Sequence, residues 1–332
     1  MNTAMLDDVS LIALLVAMGL YAAAFIAFAL DLARRSALVA DAATARQPSA
    51  VGATAARRGG TATLEREPAS SGPDAPVAAG RSISLNVAMV LLVVGFVAHA
   101  VATVLRGLAA SRVPWANMYE FAMTGTLLIL SVYLIVLTRR DLRFLGTFVT
   151  GLILILLGIA VVQYRVEVSP LPPSLQSYWL VIHVFVAALG TGFFALAFAL
   201  SGVQLLQFRR ESLAADAQAV KMRFLATLPD SVTLESMAYR LNIVGFIFWT
   251  FTLMAGAIWA ERAWGRYWGW DTKEVWTFII WVLYAGYIHA RATRGWRGSR
   301  SAWLAIIGFS AVMFNFGVVN VFFKGLHTYS GL

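Results

Sequence analysis

Eight apolar stretches constrain what this chain can fold into more than any other feature of its sequence. A helix needs about 20 apolar residues to cross the hydrocarbon core of a bilayer. The chain has 332 residues, of which 60% are hydrophobic and 13% charged, whereas a soluble domain is about half apolar and about a quarter charged. We therefore predict an all-α, polytopic integral membrane protein with about eight transmembrane helices. They are expected at 10–31, 84–106, 119–138, 144–163, 178–207, 242–262, 274–292 and 302–323.

Basic residues are distributed unequally between the connections that join these predicted helices. Nineteen Lys and Arg fall on one side and seven on the other. By the positive-inside rule the nineteen face the cytoplasm, which leaves both termini and the 263–273 connection extracytoplasmic. The net charge of +9 is spread over loops, so we expect no nucleic-acid partner. The Ala- and Arg-rich composition favours a bacterial plasma membrane, and a plastid membrane remains an alternative.

Composition also divides the chain into three parts. Residues 1–35 hold the first predicted transmembrane helix, and Asp7 and Asp8 before it argue against a cleaved signal peptide. Residues 36–82 are rich in Ala, Gly, Ser, Pro and Arg, which predicts a disordered cytoplasmic linker. Residues 83–332 form the main membrane domain. The chain has no Cys, so any thiol chemistry must belong to a partner.

One connection, residues 264–276, is unusually rich in tryptophan. It holds four of the eleven Trp of the chain, namely Trp264, Trp268, Trp270 and Trp276. One or two Trp between apolar runs would indicate an ordinary interfacial belt. Four Trp mixed with Gly, Asp, Lys and Glu favour a platform for a flat, partly polar ligand.

The four histidines divide by their predicted depth in the membrane. His183 lies near the outer end of the fifth helix and His327 just past the outer end of the eighth, on the side of the Trp-rich segment. His289 lies near the cytoplasmic end of the seventh helix, roughly 20 Å below that segment. His99 matches neither level, which favours an interhelical hydrogen bond as its role.

Two imidazoles, several indoles and nearby cations suit a haem group. Two axial His can hold haem iron, indoles can pack on the porphyrin, and Arg or Lys can pair with propionates. Zinc fits less well because no third His lies at that level, although a carboxylate could complete such a site. A dihaem electron-transfer subunit would leave His289 without a partner and the Trp-rich segment without a role. A permease whose histidines only form hydrogen bonds remains a further alternative.

Several segments of the sequence resemble those of a known family. The segment 264–276 resembles the WWD motif of the haem-handling proteins of cytochrome c biogenesis. From about residue 84 to its end, the chain is similar to the CcsA-type (ResC-type) proteins of the System II pathway. The resemblance of the WWD segment continues along the seventh helix through Trp281, Tyr284, His289 and Arg291. Further matching pieces are Pro114, Asn117, Tyr119 and Glu120, the run 177–180 before His183, and the run 326–329.

The resemblance implies ligands for haem b. His183 and His327 would be axial ligands of the outer haem iron, with Asp271 grouped with them as catalytic. Trp264, Trp268, Trp270 and Trp276 would contact the porphyrin. His289 would bind haem iron at an inner site whose second ligand comes from a CcsB-type (ResB-type) membrane protein.

The resemblance also implies an activity and partners. The chain would be a cytochrome c synthase (haem lyase) component that attaches haem to the CxxCH motif of an apocytochrome c, together with the CcsB-type partner. Thiol-reducing proteins would take part indirectly. A haem transporter or carrier without synthase activity is the alternative. Asp271 could instead be a helix N-cap, and we interpret Glu274 as a carboxylate stabilised by the helix dipole. Lys273 could orient the loop or contact the haem edge.

Overall fold

A computed structural model describes residues 2–45, 82–171, 175–215 and 223–327. This part of the chain is helical and contains no β-strand, which confirms the all-α prediction. The main helices are α1 (Thr3–Ala45), α2 (Ile83–Ala110), α3 (Met118–Leu137), α4 (Gly146–Gln163), α5 (Tyr178–Ala215), α6 (Ser231–Trp264), α7 (Thr272–Thr293) and α8 (Ser299–Phe314). A π-helical turn (Asn315–Val319) and the short helix α9 (Asn320–Phe322) continue α8.

The predicted linker falls mostly outside the described residues. Helix α1 continues past the predicted boundary at residue 35 and ends at Ala45. The remainder of the 36–82 linker, from residue 46 to 81, lies outside the described residues, and its disorder stays a prediction.

Seven helical segments of the described residues are long and apolar enough to cross a membrane, so the chain is a multi-pass membrane protein. The predicted span 274–292 forms the 22-residue helix α7, which contains four Trp and Tyr residues and is less apolar than the seven. Its first turn nevertheless bonds to Asn315 at the end of α8, and Arg291 in its last turn pairs with Glu235 near the start of α6. Helix α7 therefore runs the length of the bundle, antiparallel to α6 and α8.

Small residues allow close packing within the two most extensive helix pairs, α1 with α2 and α5 with α6. A Cβ added at Gly95 of α2 would lie 2.7 Å from Cε1 of Tyr21 on α1. A Cβ at Gly245 of α6 would lie 2.7 Å from Cδ1 of Phe194 on α5. In a bilayer, such residues let helix backbones approach and gain van der Waals contact.

We call residues 265–271, between α6 and α7, the Trp loop, and the end of the bundle that carries it the Trp-loop end. A buried ionic cluster joins α1, α2 and α3 at this end. Arg106 is fully buried, and its Nε lies 3.0 Å from Glu120 Oε1 while its Nη1 bonds to Asp7. Arg112 Nη1 lies 2.6 Å from Glu120 Oε2. Since buried charges are costly unless paired, this cluster fixes the three helix ends relative to one another.

We expect Glu120→Gln to destabilise the protein strongly. The substitution keeps the size of the side chain but leaves Arg106 and Arg112 without the shared carboxylate. The expected loss in free energy of unfolding is roughly 3 kcal/mol, the lower end of the range for a broken buried ion pair. Denaturant unfolding in detergent micelles would measure it.

The matched control is Asp141→Asn, which removes a carboxylate from the exposed Asp141–Arg143 pair. Exposed pairs contribute about 0–1 kcal/mol, so this variant should unfold close to the wild type. Equal losses for the two variants would contradict a stabilising role for the buried cluster.

Candidate functional site

A mostly apolar cavity of about 210 Å³ opens at the Trp-loop end of the bundle. Residues of α3, α5, α6, α7 and α8 line it, together with part of the Trp loop. His183 and His327 both face this cavity, which extends past Thr191 and Trp249 toward the middle of the bundle. The structure therefore brings together two histidines that lie 144 residues apart in the sequence.

His183 is held on α5 by contacts with α6. Its Nδ1 lies 3.0 Å from the backbone carbonyl oxygen of Thr252, and its ring stacks on Trp259 with centroids 5.7 Å apart. Gly256 makes room for the ring, since a Cβ there would lie 2.7 Å from His183 Cε1. A carbonyl can only accept, so Nδ1 carries the proton and Nε2 keeps its lone pair.

His327 is held in the same way by a carboxylate. Its Nδ1 lies 2.7 Å from Asp271 Oδ2, and Asp271 Oδ1 accepts the backbone N–H of Leu326 at 3.1 Å. The hydrogen bond from His327 holds the pKa of Asp271 below its usual value. An ionised carboxylate only accepts, so Nδ1 of His327 donates and its Nε2 keeps its lone pair.

His99 provides the contrast. It is fully buried between helices, its Nε2 donates to the Met123 carbonyl at 3.0 Å, and its Nδ1 lies 3.3 Å from the Tyr21 hydroxyl. Both ring nitrogens are therefore engaged, and neither is left to bind an iron. The structure gives His99 the interhelical hydrogen-bonding role that the sequence favoured.

His289 does not reach the cavity. It lies on an exposed face of α7, three residues after the exposed Gly286 and two residues before Arg291 at the end opposite the Trp loop. Two of the predicted iron ligands, His183 and His327, thus line one cavity, and the third, His289, lies apart on an exposed face of the bundle.

The four Trp of segment 264–276 do not form one platform. Trp264 contacts His327 edge-on, with ring centroids 4.9 Å apart, and Trp268 lines the cavity. Trp270 is 78% exposed and does not line the cavity, although its ring meets that of Trp268 edge-on at 5.9 Å. Trp276 packs on Phe314 of α8 at 4.5 Å.

Sequence reasoning missed Trp259, the indole that contacts both histidines. Its ring is 1% exposed, stacks on His183 and meets His327 edge-on at a centroid distance of 5.3 Å. It lies inside the apolar run of α6, where a Trp resembles ordinary packing. The signal that could have identified it is the spacing Gly256-x-x-Trp259, a small residue one turn before an aromatic residue near a helix end.

The start of α7 fixes the position of Asp271. Asp271 is the N-cap of α7, and Glu274 completes a capping box. Glu274 Oε2 accepts the backbone N–H groups of Gly269 at 2.8 Å and Asp271 at 3.1 Å. The interpretation of Glu274 as a helix N-terminal carboxylate is therefore confirmed, while Asp271 both caps α7 and binds His327.

Comparison with known proteins identifies related sequences. Residues 115–327 match the family described as Cytochrome C assembly protein. A protein of Heterosigma akashiwo named Cytochrome c biogenesis protein CcsA is 33% identical over 248 residues, which covers 66% of this chain and 77% of that protein. Proteins with the same name from Guillardia theta (35% over 245 residues, 68% and 80%) and Prochlorococcus marinus (30% over 271 residues, 75% and 86%) are similar.

We expect Asp271→Asn to separate the two roles of this residue. Asn caps helices about as well as Asp, so α7 should remain intact, whereas the bond to His327 loses its charge. Loss of such a partner typically weakens metal binding by roughly 10–100-fold. Absorption titration with added haem would measure the affinity, and circular dichroism the helix content.

Asp230→Asn makes the same change at the N-cap of α6, at the opposite end of the bundle, and should leave the haem affinity unchanged. If Asp271→Asn bound haem as tightly as Asp230→Asn, the anchoring of His327 by Asp271 would have no bearing on ligation.

Proposed function

Because the chain belongs to the cytochrome c assembly protein family, we propose that it binds haem b between His183 and His327 and takes part in attaching it to the CxxCH motif of an apocytochrome c. Family membership gives the chain a role in cytochrome c maturation, a process that handles haem. The observation that carries the finer proposal is the matched anchoring of the two histidines. Each has its Nδ1 bonded to a fixed acceptor, so each presents Nε2.

The cavity suits haem in its chemistry. Two imidazoles are the donor set of six-coordinate haem iron, and Trp259, Trp264 and Trp268 supply indole surfaces around them. Asp271 binds His327 through Nδ1 rather than standing beside it as a further ligand. This arrangement disfavours the zinc alternative, which needed a carboxylate as a ligand.

Within the proposed function each residue has a defined part. His183 and His327 hold the substrate haem by its iron, while the Thr252 carbonyl and Asp271 fix the direction and tautomer of the two rings. The His of CxxCH then replaces one of the two ligands. This exchange brings the two thiols of the motif close to the vinyl groups.

Each thioether forms when a Cys S–H adds across a vinyl double bond, so a C–S and a C–H bond form and no electrons are gained or lost. Orientation of this kind can lower a barrier by about 7–11 kcal/mol. The chain has no Cys, so other proteins keep the thiols of the apocytochrome reduced.

His289 is the residue that would bind haem together with a partner chain. Its exposed position on α7 fits an inner haem site that a CcsB-type (ResB-type) membrane protein completes with a second ligand. The Ala- and Arg-rich composition supports a bacterial plasma membrane protein, and the asymmetry of basic residues supports an extracytoplasmic position for its Trp loop and both termini. Haem would enter at the His289 end and react at the Trp-loop end.

Co-expression with a CcsB-type partner and an apocytochrome c tests the proposal. Haem staining of denatured gels should show a covalently loaded cytochrome with the wild type and at least about tenfold less with His183→Ala or His327→Ala, since loss of a ligand should cost no less than loss of its supporting residue. Trp303→Phe, on an exposed face of α8, serves as the control and should match the wild type.

The same experiment distinguishes the synthase function from the transporter or carrier function. A wild type that binds haem but yields no covalent cytochrome with its partner present would favour the transporter or carrier alternative. Full loading by His183→Ala and by His327→Ala would contradict the proposed role of the two histidines.

A further inference from the structure

Lys273 places an amino group in the cavity that the two histidines line. It lies in the first turn of α7 and lines the cavity beside His327. Its Nζ donates to the backbone carbonyl of Asn315 at 2.8 Å and to Asn320 Oδ1 at 2.6 Å. Both acceptors are neutral, and no carboxylate of the described residues lies within 4.0 Å of Nζ.

Neither of the two carboxylates nearest in sequence pairs with Lys273. Asp271 accepts from His327 and Leu326, and Glu274 Oε2 accepts two backbone N–H groups of the Trp loop, while Glu274 Oε1 has no hydrogen-bond partner among the described residues. An ammonium in an apolar cavity is costly unless an opposite charge pairs with it. The cavity therefore favours a ligand that supplies a negative charge at this position.

The position of Lys273 is well defined by three helices. Its acceptors lie in and directly after the π-helical turn that interrupts α8 at 315–319, and Asn320 Nδ2 in turn lies 3.2 Å from Met118 Sδ of α3. Turns of this type are frequent at functional sites. An ammonium has three N–H donors, and two are engaged here, so one remains for a ligand.

We propose that Lys273, positioned by Asn315 and Asn320, forms an anion subsite of the cavity that binds a carboxylate of the bound ligand. The inference rests on the proposed function, in which that carboxylate is a haem propionate. The propionates and the vinyl groups lie on different edges of the porphyrin. A fixed propionate therefore sets the rotation of the porphyrin about the axis through its iron ligands, and with it the position of the vinyl groups.

The test compares haem with its dimethyl ester, in which both propionates are neutral. Wild type should bind haem roughly 10–100-fold more tightly than the ester, as expected for a hydrogen bond to a charged group. Lys273→Met should lose this preference through weaker binding of haem with little change for the ester. Lys273→Arg should retain it. Absorption titrations of the purified protein measure all the affinities.

Lys324→Met is the matched control, because Lys324 is an exposed lysine in the same terminal segment as His327. It should keep the wild-type preference for haem. Circular dichroism would verify that Lys273→Met retains its helices. The comparison of haem with its ester in the wild type does not depend on the folding of any variant.

Equal affinity of the wild type for haem and its ester would overturn the anion subsite, as would a Lys273→Met protein that still prefers haem. In both cases an intact spectrum of two axial imidazoles would leave the proposed function standing. A wild type that gave this spectrum with neither porphyrin would overturn the proposed function and the inference together.

Discussion

The carboxylate of Asp271 joins the start of α7 to the segment 326–327 at the Trp-loop end. It caps α7, accepts the backbone N–H of Leu326 and fixes Nδ1 of His327. His327 follows the last helix in a short turn, and among the described residues its ring otherwise contacts Trp259 and Trp264. The second ring, His183, needs no carboxylate because the backbone of α6 supplies its acceptor. One histidine is thus oriented by a helix backbone and the other by the side chain of Asp271.

Buried charged side chains have different partners in two places at the Trp-loop end. Around Arg106 and Glu120 every buried charge has an opposite partner, and the result is a rigid junction of α1, α2 and α3. Around Lys273 the partners are neutral, although the surroundings are equally apolar. Removing one member of a paired cluster leaves an uncompensated buried charge, which is costly, whereas Lys273 has no such partner to lose among the described residues. The paired charges thus lie where α1, α2 and α3 join, and Lys273 lies at the cavity.

The sequence predicted the helices and the two histidines that line the cavity. Helices follow from the length of apolar runs, and the depth of a histidine follows from its position relative to helix ends. Trp259 was missed because a tryptophan within an apolar run has the same pattern whether it packs or binds. The acceptor of His183 is a backbone carbonyl, for which no residue type is diagnostic. Trp270 and Trp276 were grouped with the site by proximity in sequence, but Trp270 reaches it only through Trp268, and the periodicity of α7 packs Trp276 on Phe314.

We propose that His183 and His327 together hold a haem iron. The absorption spectrum of the protein purified with haem, for wild type, His183→Ala, His327→Ala and His99→Gln, tests this proposal. We expect a six-coordinate low-spin spectrum in wild type and in His99→Gln. Each of the other two variants should lose this spectrum and regain it when imidazole is added. A wild-type spectrum that survives both Ala substitutions, or that disappears with His99→Gln, would contradict the assignment of the two ligands.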